Sequence, residues 1–137
     1  MNASGHLRWF RAVLLVGVLY LVAGLLFAAL AKSAASNEVR VAWRLAAWAI
    51  SAAAFAAHIG YEHIRLRSSP ATTALHASLA VGLGAFGLAI AASLHARTTS
   101  HHFPAIALVV WPVMTALPAF VAALASAAVL TRARRSI

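Results

Sequence analysis

Residues 12–31 read AVLLVGVLYLVAGLLFAALA, twenty positions without one charged side chain. A helix rises 1.5 Å per residue, so twenty apolar residues match the roughly 30 Å hydrocarbon core of a bilayer. Working outward, Arg8 and Arg11 precede this run and Lys32 follows it, which is how bases flank a membrane span. Residues 45–60, 72–96 and 105–130 are also predominantly apolar. The expected fold class is therefore all-α, an integral membrane four-helix transmembrane bundle forming a single domain. Its spans are expected at about 12–31, 40–64, 70–96 and 104–131.

Composition agrees. The chain of 137 residues is 64% hydrophobic and only 9% charged, against roughly a quarter charged in soluble domains. A soluble protein of this size keeps too much surface to hide so many apolar side chains. The net charge of +9 would suggest nucleic acid in a soluble protein, but here the bases sit at span ends, where they face lipid headgroups. No nucleic-acid partner is expected; the partner is the lipid bilayer. With no cysteine, disulfides and thiolate chemistry are excluded. Arg8 and Arg11 followed by Ala29-Leu30-Ala31 also fit a signal peptide, but the apolar run exceeds a usual signal core, so we read it as a span.

Seven bases fall on one side of the spans (Arg8, Arg11, Arg65, Arg67, Arg132, Arg134, Arg135) and four on the other (Lys32, Arg40, Arg44, Arg97). The excess predicts that the N and C termini are both cytoplasmic, in a bacterial-type inner (plasma) membrane. Ser36 or Asn37 is expected to cap the second helix, with Glu38 in its first turn. Ser69-Pro70 opens the third helix in the same way, and Pro104 the fourth.

The second helix carries the chemistry. Arg44, Ser51, His58 and Arg65 recur every seven residues, and Arg40 and Glu62 share their face. A charge at mid-bilayer costs about 2.5–3.5 kcal/mol even on insertion scales, so this stripe should face protein or water. The plainer alternative is that its arginines snorkel from the two ends. Trp48 falls on the same face and is expected to pack inside; Tyr20 and Trp111 are candidates to line the interior. Trp9 and Trp43 read as interface anchors.

His58 and His76, on antiparallel neighbours joined by a short loop, should lie at similar depth. Such a pair can relay protons, bind a metal ion, or ligate haem b, and His63 could join from the loop. The alternative is that each simply hydrogen-bonds a neighbouring helix. His95, His101 and His102 form a second cluster beside Arg97. The stretch His58-Ile59-Gly60-Tyr61-Glu62-His63 is similar to the haem-bearing helix end of succinate-dehydrogenase membrane anchors. That resemblance implies a haem role for the histidines, although those anchors usually have three spans.

Ala77, Ala80, Gly84, Gly87 and Ala91 form a small-residue face on the third helix that permits close packing. In the fourth, Pro112 and Pro118 are expected to kink the helix and to free the carbonyls of Leu108 and Met114. Thr115 is expected to satisfy one of them. There is no phosphate loop, metalloprotease His pair or nucleophile elbow, so no enzyme is expected. No carboxylate lies at the centre of a span, which counts against small-multidrug-type export of cations.

These features lead to an expected function as a small oligomeric transport protein, channel or carrier, for an anionic or neutral polar solute. Arg44, Ser51, His58, Glu62, His76 and Thr115 are its pathway or ligand-binding candidates. The alternatives are a structural or assembly subunit docked through the third helix, and a haem b subunit using His58 and His76.

Overall fold

The structure is a computed structural model that describes residues 3–98 and 105–135, with side chains for 7–98 and 105–134. It is all-helical. The elements are α1 (Ala3–Lys32), α2 (Asn37–Tyr61), a single π-turn (Glu62–Leu66), α3 (Pro70–Thr98) and α4 (Ala107–Arg135). All four helices are long and apolar enough to cross a membrane. α1 and α2 begin two turns or more before their apolar runs and α4 ends more than a turn after its own, because a helix keeps its hydrogen bonds through the interfacial layer as well; α3 matches its run to within two residues at each end.

The caps show why the boundaries fall where they do. Ser36, rather than Asn37, is the N-cap of α2; its hydroxyl accepts from the amide of Val39 at 3.3 Å. Ser69 does the same for α3, accepting from Thr72 at 3.2 Å. The π-turn was not foreseen. It ends at Arg67, whose φ of 51° and ψ of 36° are left-handed, and the amides of Arg67 and Ser68 both donate to the carbonyl of Glu62. Pro104 lies outside the described residues.

Paired side chains give the topology. Gly17 meets Leu83 and Gly24 meets Leu88, so α1 and α3 run parallel. Gly82 meets Ala116, while Ala77 and Ala123 share one core cluster, so α3 and α4 are antiparallel. Phe27 lies beside Trp43, with ring centroids 6.1 Å apart, and Arg11 of α1 lines one groove with Tyr61 at the end of α2, so α1 and α2 are antiparallel. The packed centre is built of small residues: Ala74, Ala77 and Ala123 around Ile59, flanked by Phe55 and Phe120. In lipid, apolar burial drives helices together only weakly, and close backbone approach supplies the dispersion contacts instead.

Gly84 shows how tight that approach is. A Cβ there would stand 2.6 Å from the Cβ of Tyr20 and 3.1 Å from the carbonyl oxygen of Gly17. Gly87 faces Leu21, and Ala80 is fully buried. The small-residue face of α3 is thus used within the bundle. The close approach expected of this face is made to α1.

α4 runs as one helix through Pro112 and Pro118. The Thr115 hydroxyl donates to the carbonyls of Trp111 and Pro112, each at 3.0 Å, and not to those of Leu108 or Met114 as expected. A threonine side chain reaches back only three or four residues, and from position 115 that span ends at Trp111. Trp111 itself points outward, against expectation.

Candidate functional site

The end of α2 carries a carboxylate that the fold encloses completely. Glu62 has no exposed surface although it sits at the first position of the π-turn. Its Oε1 lies 2.9 Å from Nδ1 of His76 on α3 and 3.8 Å from Nε2 of His58, one turn earlier on α2. Its Oε2 accepts from the Ser68 hydroxyl at 2.6 Å. An ionised carboxylate only accepts, so with Glu62 charged His76 carries its proton on Nδ1.

Several local features place these groups. The π-turn and the left-handed Arg67 reverse the chain tightly, which brings the Ser68 side chain back over Glu62. Pro70 starts α3 at once, so His76 stands less than two turns into that helix, level with the end of α2. Trp9 completes the enclosure. Its indole stacks on the His76 ring at 4.6 Å between centroids and 6° between planes. Trp9 is therefore more than the interface anchor that its position suggested.

His58 is buried, with 4% of its surface exposed, yet neither ring nitrogen makes a hydrogen bond. Thr73 is also fully buried with an unpaired hydroxyl, and the Tyr20 hydroxyl is enclosed without a partner. Buried polar atoms rarely stay unpaired, so these three mark the places where a ligand, a water or a proton could bind.

The stripe on α2 divides in two. His58 and Glu62 are buried, Ser51 is half-buried, and Arg40, Arg44 and Arg65 are exposed. No residue of α2 before His58 is fully buried. Trp48, expected inside, is 77% exposed. It lines an open groove of about 620 Å³ with Arg40 and Arg44, across from Phe27, Ala31 and Lys32 of α1. The stripe does face α1, but the described chain leaves that half uncovered.

A second groove of about 920 Å³ opens between α1 and α2 at the other end, with Arg8, Arg11 and Arg65 at its rim and His58 in its lining. The α1–α2 seam therefore carries three bases at each end.

His63 lies in the π-turn and is half-buried. His95 ends α3 on an exposed surface, while His101 and His102 lie outside the described residues. Among the described residues, no group of three His, Asp or Glu side chains is arranged to hold a metal ion. The haem arrangement needs two imidazoles facing across a porphyrin. Here a single carboxylate oxygen lies within 4 Å of both rings, and an indole covers one face of His76. Sequence reasoning named His58, Glu62 and His76 but missed Ser68, Thr73 and Trp9. The Glu62–Ser68 spacing could not reveal its contact without knowledge of the π-turn.

Fold and site together define an all-helical protein with four potential membrane-crossing helices and a buried carboxylate–imidazole centre. No protein-family model, curated protein or solved structure matches the chain.

Proposed function

We propose that this chain is a proton-linked membrane transport protein for an anionic or neutral polar solute, working as an oligomer. The observation that carries the reading is Glu62, a carboxylate with no exposure that touches two histidines from different helices. An ionisable group within a span is unfavourable there by kilocalories unless paired, and such groups typically mark ion or proton pathways. Glu62 and His76 can share one proton. His58, 3.8 Å from the same oxygen and without a hydrogen bond of its own, is the next acceptor, and it lines a groove that opens outward.

Arg44 and Ser51 would form the solute-facing part of the pathway. Their groove is open on one side, and hydrocarbon cannot form a wall for a polar solute. A second copy supplies that wall, which is why the reading needs an oligomer. The termini lie in the cytoplasm and the membrane is a bacterial-type inner membrane, following the distribution of bases.

The test uses purified protein in vesicles holding a pH-sensitive dye, with chloride, inorganic phosphate or succinate offered outside. Glycerol uptake is read separately by vesicle swelling. At least one solute should move faster with protein than without, and an anion should carry a pH change with it. Glu62→Gln should remove the pH change, and Arg44→Ala should slow uptake. Identical rates for the wild type and Glu62→Gln with every solute would dismiss the reading.

A second reading, an assembly subunit of a larger membrane complex, is favoured by the same exposed half of α2. Its docking face would then be Arg40, Arg44 and Trp48 rather than α3. A stable partner retained in mild detergent, with no flux for any solute, would select it.

A further inference from the structure

The groove between the start of α1 and the end of α2 has a composition that the transport reading does not explain. Arg8, Arg11 and Arg65 stand at its rim. All three are exposed, and none has an ion-pair partner among the described residues. The chain offers them little choice: its only acidic side chains are Glu38, at the far end of α2, and Glu62, enclosed by histidine and serine. Below the rim the lining turns apolar, with Leu15, Leu19 and Ala57. Leu15 is 71% exposed.

From Arg8 to Leu19, eleven residues at 1.5 Å each, α1 rises about 16 Å. That is about half of a 30 Å hydrocarbon core, the depth of one leaflet. A small soluble anion could use the rim but not the apolar floor. A hydrocarbon chain could use the floor but not the three arginines. His58 lies in the lining two turns deeper than Arg65 on the same helix, but its ring nitrogens are enclosed and turned away from the groove's surface, so the floor stays apolar.

We infer that this groove is a binding site for one anionic phospholipid, with its phosphate held by Arg8, Arg11 and Arg65. One acyl chain lies along Leu15 and Leu19. Three bases around a cleft between spanning helices match the known chemistry of anionic headgroup recognition. The inference goes beyond the transport reading and does not depend on it.

The test is native mass spectrometry of the purified chain in mild detergent. It compares phosphatidylglycerol with phosphatidylcholine of the same acyl chains, and includes inorganic phosphate as a competitor. Wild-type protein should hold phosphatidylglycerol at least about tenfold more tightly than phosphatidylcholine. The preference should fall about fivefold per arginine removed, as expected for roughly 1 kcal/mol per base. Arg8→Gln, Arg11→Gln and Arg65→Gln together should abolish it. Arg132→Gln with Arg134→Gln, bases outside the groove, should leave it intact. If the triple variant does not fold, Arg65→Gln alone gives the same reading at its fivefold step. Equal affinity for the two lipids overturns the site. So does equal loss in both sets of variants, which shows unspecific attraction, or displacement of the lipid by inorganic phosphate, which shows a free-anion site.

Discussion

Removing the Glu62 side chain should be among the most destabilising single changes near the α2–α3 turn. Glu62→Ala deletes a bond of 2.6 Å from Ser68 and one of 2.9 Å from His76. Hydrogen bonds to a charged group contribute about 1.5–3 kcal/mol each. The site has no exposure, so the lost volume leaves a cavity and the abandoned partners stay out of water. Part of the loss is recovered as Ser68 turns toward the surface, and we expect a net cost of about 3–5 kcal/mol. Glu62→Gln keeps the shape and an acceptor for Ser68, and should cost about 1–2 kcal/mol. The assay is equilibrium unfolding in mixed micelles with a rising fraction of denaturing detergent, followed by far-ultraviolet circular dichroism. A double-mutant cycle with His76→Ala should give a coupling of about 1–3 kcal/mol. If Glu62→Ala lowers stability by less than about 1 kcal/mol, or the cycle shows no coupling, the enclosed centre described above is wrong.

Other outcomes follow from the same geometry. Gly84→Ala places a methyl 2.6 Å from the Tyr20 Cβ and should cost about 1–3 kcal/mol, whereas Gly60→Ala, with nothing within 4 Å, should gain about 0.5–1 kcal/mol; unfolding midpoints of the pair decide it. Arg67→Gly removes a side chain from a left-handed position and should stabilise by about 1 kcal/mol in the same titration. Trp48→Ala should change monomer unfolding by less than about 0.5 kcal/mol, because the side chain is 77% exposed. It should nevertheless weaken self-association in analytical ultracentrifugation; unchanged association would remove α2 from the oligomer interface.

Sequence reading succeeded where the physics is local or set by the solvent. An uncharged run such as residues 12–31 has few stable options other than a helix crossing lipid. Ser36 and Ser69 announce helix starts because a cap depends on atoms three residues away. The seven-residue recurrence placed Arg44, Ser51 and His58 on one face, since a helix fixes that geometry whatever surrounds it.

Tertiary structure decided which parts of that face are enclosed. His58 and Glu62 lie where α2 meets α3 and are sealed; Arg44 and Trp48 lie where α2 borders only an open groove. Periodicity gives the direction in which a side chain points but not the distance to the next helix. The links from Glu62 to Ser68 and from Trp9 to His76 likewise needed the fold. The first depends on a π-turn ending in a left-handed arginine, and the second joins residues brought together only when α1 and α3 pack side by side.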